Sequence, residues 1–330
     1  MPSNDPLILF YTSFFGEPEN LAAIPKCAAP VEWTNDRRRI SEAAAVVFHL
    51  PDFREIGDAR KYPGQVWVAW SMESVVNYPR MNDPRVMRRF DMTMTYESGS
   101  DVWAPYLPGA SWWEAAQRRP IPSKTESAPA VHFQSSTIDR SGRAAFAAEL
   151  AQAMAIDSYG RHRPTRSLDG PDLGAQTKIE TIGRYRFCLA LENSIAPDYV
   201  TEKIFDPLLA GTVPVYLGAP NVRDFVPAHS YIDATAFGTP AKLASYLQHL
   251  VETPQEYEAY FAWRSRPLAE PLAGRLAPLD TPSKCRLAEV VHRRIEQGHG
   301  SSSGRPTLPF GPAAFLRTRL YRWRRATGRR

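Results

Sequence analysis

At 330 residues the chain is long enough to bury two cores, and 43% hydrophobic with 23% charged residues sets it apart from disordered and collagen-like chains. Its formal charge of +5 is unevenly placed: eight arginines and no acid fall between Arg305 and Arg330, and removing those eight leaves −3 on residues 1–304. A nucleic-acid-binding domain usually carries its basic residues on a folded face, so this distribution argues against nucleic acid as a partner.

The first apolar run, Leu7–Thr12, has the β-branched and aromatic content of a buried strand. No basic residue precedes Pro6–Phe15, no small-residue cleavage site follows it, and it is about half a membrane span, so a signal peptide is not expected. A loop with Phe14, Phe15 and Gly16 comes next. Ala44–His49 and Gly64–Ser74 read as further strands, the second ending in polar residues, and Phe90–Ser98 alternates before a turn. Gly142–Ile156 is alanine-rich with helical spacing, Lys178–Ile182 reads as a strand, and Pro240–Glu252 and Pro254–Arg264 read as helices. Strands alternating with helices predict parallel sheets covered on both faces. The Gly- and Pro-rich stretch Tyr159–Gln176 places a domain boundary near residue 160, giving domains 1–160 and 161–300. Gly298–Pro306 is expected to be a flexible linker before a basic tail, 301–330. The three cysteines, Cys27, Cys188 and Cys285, are odd in number and far apart, which argues against a disulfide framework and a zinc ribbon and fits a reducing compartment.

The richest stretch is Tyr185–Pro220. Arg186–Asn193 is a nearly continuous apolar run that stops at Glu192, as a buried parallel strand would. Asp198 or Thr201 can cap the helix that follows, Gly211 suits its carboxyl end, and Thr212–Leu217 is the return strand. Ligands of open parallel sheets sit beyond the carboxyl ends of strands, and Glu192, Asn193, Tyr199, Glu202 and Lys203 fall at the mouth of this turn. Lys203 in the first helical turn opposes the helix dipole, which makes sense beside an anion. The plainer alternative is a solvated helix face with a Lys203–Asp206 pair. No GxGxxG or GxxxxGKS loop is present, which argues against dehydrogenases and P-loop enzymes.

Phe187–Asp233, with its strand, "ENS", "YVTEK", helix and "AGTVPVYLG", resembles the donor-binding signature of glycosyltransferase family 10, the α1,3/α1,4-fucosyltransferases. Val66–Pro79, Phe90–Tyr106 and Leu7–Gly16 are similar to further family segments, and the likeness fades after about Phe237. The resemblance implies a GT-B fold of two Rossmann-like domains facing a cleft. It implies an inverting transfer of L-fucose from GDP-fucose to an acceptor hydroxyl, with the acceptor on the amino-terminal domain. It assigns Asn193, Tyr199, Glu202, Lys203 and Arg143 to the donor, Arg143 as the pyrophosphate arginine, and Glu73 as general base. The chain departs from the family pattern before Arg143, where the Asn-Cys pair is missing and Arg140 becomes a rival. It departs again at Val75, Glu97 and Gly99, where family residues differ.

Glu73 follows a strand and is flanked by Trp70 and Met72, a setting in which burial raises a carboxyl pKa towards a base's working range. Read without the family, it is a surface glutamate in a turn. Lys203 and Arg143 supply the positive charge a leaving diphosphate needs, so no metal or other cofactor is expected to be required, although a divalent ion can stimulate. No DxD pair stands where a metal would bridge a diphosphate. Leu316, Leu320 and Trp323 recur at helical spacing among arginines, which predicts an amphipathic helix able to touch a membrane; a disordered tail or a docked helix are the alternatives. The expectation is thus a cytoplasmic, peripherally membrane-attached α1,3-fucosyltransferase with an N-acetylglucosamine-containing acceptor. The rivals are a relative using another nucleotide sugar and a catalytically silent glycan- or nucleotide-binding protein.

Overall fold

A computed structural model describes residues 5–298 and 304–327. The chain forms two compact units, one of Met1–Ala104 with Thr281–Arg330, the other of Pro105–Asp280.

The first unit is built on six parallel strands: β1 (Leu7–Phe10), β2 (Glu32–Thr34), β3 (Ala45–His49), β4 (Val66–Ser71), β5 (Met92–Thr95) and β6 (Val102–Trp103). Their order is β2-β1-β3-β4-β5-β6. Every residue of β1, β3 and β4 is buried, as a sheet covered on both faces requires. Ile8, Phe10, Val47 and Trp70 face one core, which the returning helix Ser283–Glu296 closes with Leu287, Ala288 and Val291. Leu9, Val46, Phe48 and Trp67 face the other, and Phe310 packs against it.

The second unit carries β7 (Ala130–Phe133), β8 (Ile156–Tyr159), β9 (Phe187–Leu191), β10 (Val213–Leu217) and β11 (Ile232–Asp233), in the order β11-β10-β9-β7-β8 and again parallel. Leu189, Leu191, Val213 and Val215 pack against Leu243, Leu247 and Leu250 of the helix Pro240–Glu252. Cys188, on the other face, packs with Ile179, Ile182 and Ala210.

Several expectations are corrected. The division falls at Ala104/Pro105, not near 160, because β7 and β8 pair through β7 with β9 and so belong to the second sheet. Tyr159–Gln176 is a connection inside that unit. Lys178–Ile182 is helical, within Ala175–Gly183: the β-branched residues favour a strand locally, but Ile179 and Ile182, three apart, turn one helical face into the core. The helix after Pro254 ends at Ala259. Cys27 and Cys285 form a disulfide across a sequence separation of 258, leaving Cys188 as the buried free thiol. Their distance in sequence hid a pairing that the return of the chain to the first unit creates. Of the expected linker, residues 299–303 lie outside the described residues.

The tail is a helix, Gly311–Ala326, docked on the first unit. Thr318 is 5% exposed; its hydroxyl accepts from Gly57 N at 3.2 Å and donates to Arg54 O at 2.9 Å. Arg322 pairs with Asp58 at 3.0 Å and Arg325 with Glu55 at 2.9 Å. Leu316, Leu320 and Trp323 stay outward, at 67%, 48% and 49% exposure. No helix among the described residues is long and apolar enough to cross a membrane.

Candidate active site

In the second unit the chain leaves β7 for β8 on one side, then returns to β9 and proceeds to β10 on the other. The direction of winding therefore reverses between β7 and β9, and diverging connections leave a crevice at the carboxyl ends of those two strands. A cavity of about 410 Å³ opens there, and Arg143, Lys178, Asn193, Glu202 and Lys203 line it.

Each side chain is placed by local rules. β9 ends at Leu191, so Glu192 and Asn193 are the first residues beyond the strand. Asp198, at φ +63°, turns the chain back, held by Asn221 through bonds of 2.9 and 2.8 Å. Thr201 caps the helix Glu202–Ala210, and Gly211, at φ +73°, ends it in the left-handed conformation that glycine adopts without a Cβ clash. That start puts Glu202 and Lys203 in the first turn, at the mouth.

Glu192 holds this corner together. It is fully buried; its carboxylate accepts from Thr201 N at 2.8 Å and from the Thr201 hydroxyl at 2.9 Å, and Lys203 Nζ lies 3.2 Å away. Burial raises the Glu192 carboxyl above its usual range, against the pull of Lys203. Burial also works to lower Lys203, but Glu192 and Glu202 outweigh it and the ammonium titrates above its ordinary value. Burial acts to raise Glu202, and Lys203 with Lys178 reverses that, so its carboxyl falls below the usual range. The mouth therefore keeps both Lys203 and Glu202 charged at neutral pH. Lys203 does not pair with Asp206 as the plainer reading has it; Asp206 takes Lys178, at 2.7 Å.

Arg143 opens the helix Arg143–Ala153 and is 2% exposed. Its guanidinium donates to the carbonyls of Leu191, Ser136 and Ile138 at 3.3, 3.1 and 2.9 Å, while its buried Nε has no partner. Arg140 is exposed and lies outside the cavity lining. Of the expected donor residues, Tyr199 alone does not line the cavity: it is 2% exposed, with its ring 6.2 Å from that of Tyr106.

Lys178, Gln134 and Ser136 were missed as lining residues. Lys178 was hidden by the strand assignment of its segment; Gln134 and Ser136 follow a strand, β7, whose short apolar run is broken by His132. Glu73 lies in the first unit, two residues beyond β4, partly buried, its backbone held by Ser71 through bonds of 3.0 and 3.1 Å. Glu97 holds the corresponding place beyond β5. Among the described residues no group of three or more His, Cys, Asp or Glu side chains is arranged to hold a metal ion.

The family model described as glycosyltransferase family 10 (fucosyltransferase), C-terminal, matches residues 121–302, and that described as fucosyltransferase, N-terminal, matches residues 3–107. The chain belongs to glycosyltransferase family 10. Among relatives of this fucosyltransferase family, the 4-galactosyl-N-acetylglucosaminide 3-alpha-L-fucosyltransferase FUT6 of Homo sapiens is 32% identical over 274 residues, covering 78% of this chain and 73% of that protein. The 3-galactosyl-N-acetylglucosaminide 4-alpha-L-fucosyltransferase FUT3 of Pan troglodytes is 34% identical over 273 residues, covering 78% and 70%. A crystal structure of alpha1,3-fucosyltransferase with GDP-fucose superposes with a TM-score of 0.58 at 13% identity, covering 90% of this chain and 92% of that one. A structure of alpha1,3-fucosyltransferase has a TM-score of 0.62 at 14% identity, covering 90% and 92%. At such identities the likeness establishes the fold, α/β of the GT-B type. The amino-terminal family segment ends close to the Ala104/Pro105 division, the carboxyl-terminal one runs past Asp280 into the returning helix of the first unit, and the docked tail helix lies beyond both.

Proposed function

We propose that this family 10 enzyme transfers L-fucose from GDP-β-L-fucose, with inversion, to the 3-hydroxyl of an N-acetylglucosamine unit in a glycan. The observation that carries this reading is the gathering of Arg143, Asn193, Glu202 and Lys203 around one cavity at the winding reversal of the second sheet. Lys203 and Arg143 supply charge to the diphosphate as it departs, Glu202 accepts from sugar hydroxyls, and Asn193 orients them. Tyr199 supports the wall from within its core. Glu73 takes the proton of the acceptor hydroxyl while that oxygen bonds to the fucose anomeric carbon and GDP leaves. The paired cations make a metal unnecessary, so activity is expected to survive EDTA; full loss restored by Mn²⁺ would refute that part. The decisive test incubates the protein with GDP-fucose and Galβ1,4GlcNAc and determines the product linkage. Nucleotide binding without turnover would favour a silent binding protein, and turnover of a different nucleotide sugar would redirect the donor assignment.

The tail reading is narrower. Leu316, Leu320 and Trp323 on the outer face, with Arg317, Arg319 and Arg324 beside them, support reversible, salt-sensitive contact with an anionic surface. Replacing the three apolar residues by serine is expected to abolish binding to phosphatidylserine vesicles. Truncation at Gly304 would also strip Phe310, Thr318, Arg322 and Arg325 from the first unit, so the serine substitutions are the cleaner test. The Cys27–Cys285 bridge bears on the compartment alongside the tail. A stable disulfide is at odds with the cytoplasm, and thiol trapping in freshly lysed cells decides between them.

A further inference from the structure

The first sheet has its own reversal, between β1, which leads out to β2, and β3, which leads to β4. A cavity of about 580 Å³ opens there, lined at the carboxyl end of β1 by Ser13, beyond β3 by Glu55, and by Arg37, Arg322 and Arg325. Two of these arginines come from the docked tail helix.

Glu55, 3% exposed, organises the site. It accepts from Ser13 N at 3.0 Å and from the Ser13 hydroxyl at 2.8 Å, and pairs with Arg325 at 2.9 Å and with Arg37. Burial opposes its charge, but the Ser13 bonds and the Arg37 guanidinium hold the carboxyl below its usual range. Arg325 also donates to Gly16 O, and Arg37 Nε to Tyr11 O. Arg322 pairs with Asp58 at 3.0 Å and lies 5.1 Å over the Tyr11 ring. Three guanidiniums thus meet two carboxylates, Glu55 and Asp58, and a positive charge remains. Arg37 and Arg325 are 32% and 45% exposed, and each guanidinium has five N–H donors, of which these contacts use only part.

We propose that this crevice is an anion subsite for the acceptor, taking a carboxylate or phosphate group carried by the glycan. The proposal rests on the fucosyl-transfer reading for its occupant, while the site itself rests on the cavity and its excess of guanidinium. Glu55 fixes the arginines in place, so the anion meets preorganised donors, and Arg offers carboxylate and phosphate oxygens a matching fork. Because two arginines belong to the tail helix, acceptor choice and tail docking are linked.

The test compares transfer to Galβ1,4GlcNAc with transfer to the same disaccharide bearing a glucuronic acid or a 6-phosphate, using the full chain. The wild type is expected to prefer an acidic acceptor about tenfold in kcat/KM at low salt, as one charge-assisted contact supplies. Arg325→Gln and, separately, Arg37→Gln should erase most of that ratio, and Arg325→Lys should retain part of it. Preference for the glucuronide alone names a carboxylate subsite, and preference for the phosphate alone a phosphate subsite. A wild-type ratio near one for both acceptors overturns the proposal, as does an equal loss on acidic and neutral acceptors in both glutamine variants. If no acceptor is fucosylated, the functional reading fails instead. The site is then read by calorimetry with N-acetylglucosamine 6-phosphate and glucuronic acid on protein saturated with GDP. Binding lost in both glutamine variants, with GDP affinity intact, upholds it, and absence of binding to the wild type overturns it.

Discussion

The two reversal crevices share one geometry and are furnished in different ways. In the second unit the charged residues come from segments adjoining the strands they serve: Lys203 is twelve positions beyond the end of β9 and Arg143 ten beyond the end of β7. In the first unit Arg37 and Glu55 are similarly local, but Arg322 and Arg325 arrive from the far end of the chain. A crevice made of neighbours is fixed by its own motif. One completed by a distant helix depends on that helix staying docked.

Four measurements sharpen or break the comparison. The largest expected effect is that of Glu73→Gln, which should lower kcat by about 10³-fold, within the usual span for a general base, and leave GDP affinity unchanged. Near-normal turnover would pass the role to Glu97, at the end of the adjacent strand β5. Lys203→Ala should lower kcat/KM by about 10²-fold and weaken GDP binding in parallel, since the ammonium meets the diphosphate before and during its departure. Calorimetry showing wild-type GDP affinity in this variant would contradict the assignment of the second crevice to the donor.

The third measurement concerns stability. Paired Cys27→Ser and Cys285→Ser should cost about 4 kcal/mol, as expected for a bridge closing a long loop. The loss should appear in the first unit: hydrogen exchange should quicken in β1 and in Ser283–Glu296, while β9 and β10 stay protected. Uniform loss of protection would mean that the two units unfold as one.

The fourth is a pH dependence in the second unit. His132, in β7, is 6% exposed, and burial first, then Arg143 and His162, lower its pKa from 6.5 to about 4. Below pH 6.5 the unfolded chain takes up a proton that the folded chain refuses until about pH 4. The stability present above 6.5 is therefore lost as pH falls through that window, by about 3 kcal/mol for this group. His132→Gln should flatten the unfolding free energy between pH 6.5 and 4, and an unchanged slope would show that carboxylates alone govern it.

Much of the second-unit crevice was legible because its determinants are local. The apolar run of β9, the Thr201 cap and Gly211 are patterns of a few residues, and they place Glu202 and Lys203 without reference to the rest of the fold. Lys178 was illegible because its helix is decided by the core that Ile179 and Ile182 enter, against the propensity of the segment. β7 is interrupted by His132 and β8 carries Asp157 and Ser158, so neither stands out as an apolar run, and the unit boundary was misplaced with them. The disulfide and the docking of Arg325 on Glu55 join residues 258 and 270 positions apart, and no spacing rule reaches that far. The exposed stripe of the tail could be read; the face that docks, marked by Thr318 among arginines, could not.

The first unit is discontinuous, and this sets an order of events during synthesis. When the ribosome has made residues 1–104, the first sheet still lacks Leu287, Ala288, Val291 and Phe310, the side chains that finish its two faces. The second unit, Pro105–Asp280, is a single uninterrupted segment and can close as soon as it clears the exit tunnel. The nascent chain is thus expected to hold a finished second unit while its amino-terminal sheet is still open and sticky, a natural client for a chaperone. Synthesis of the segment beyond Asp280, rather than of the first strands, times the completion of the first unit.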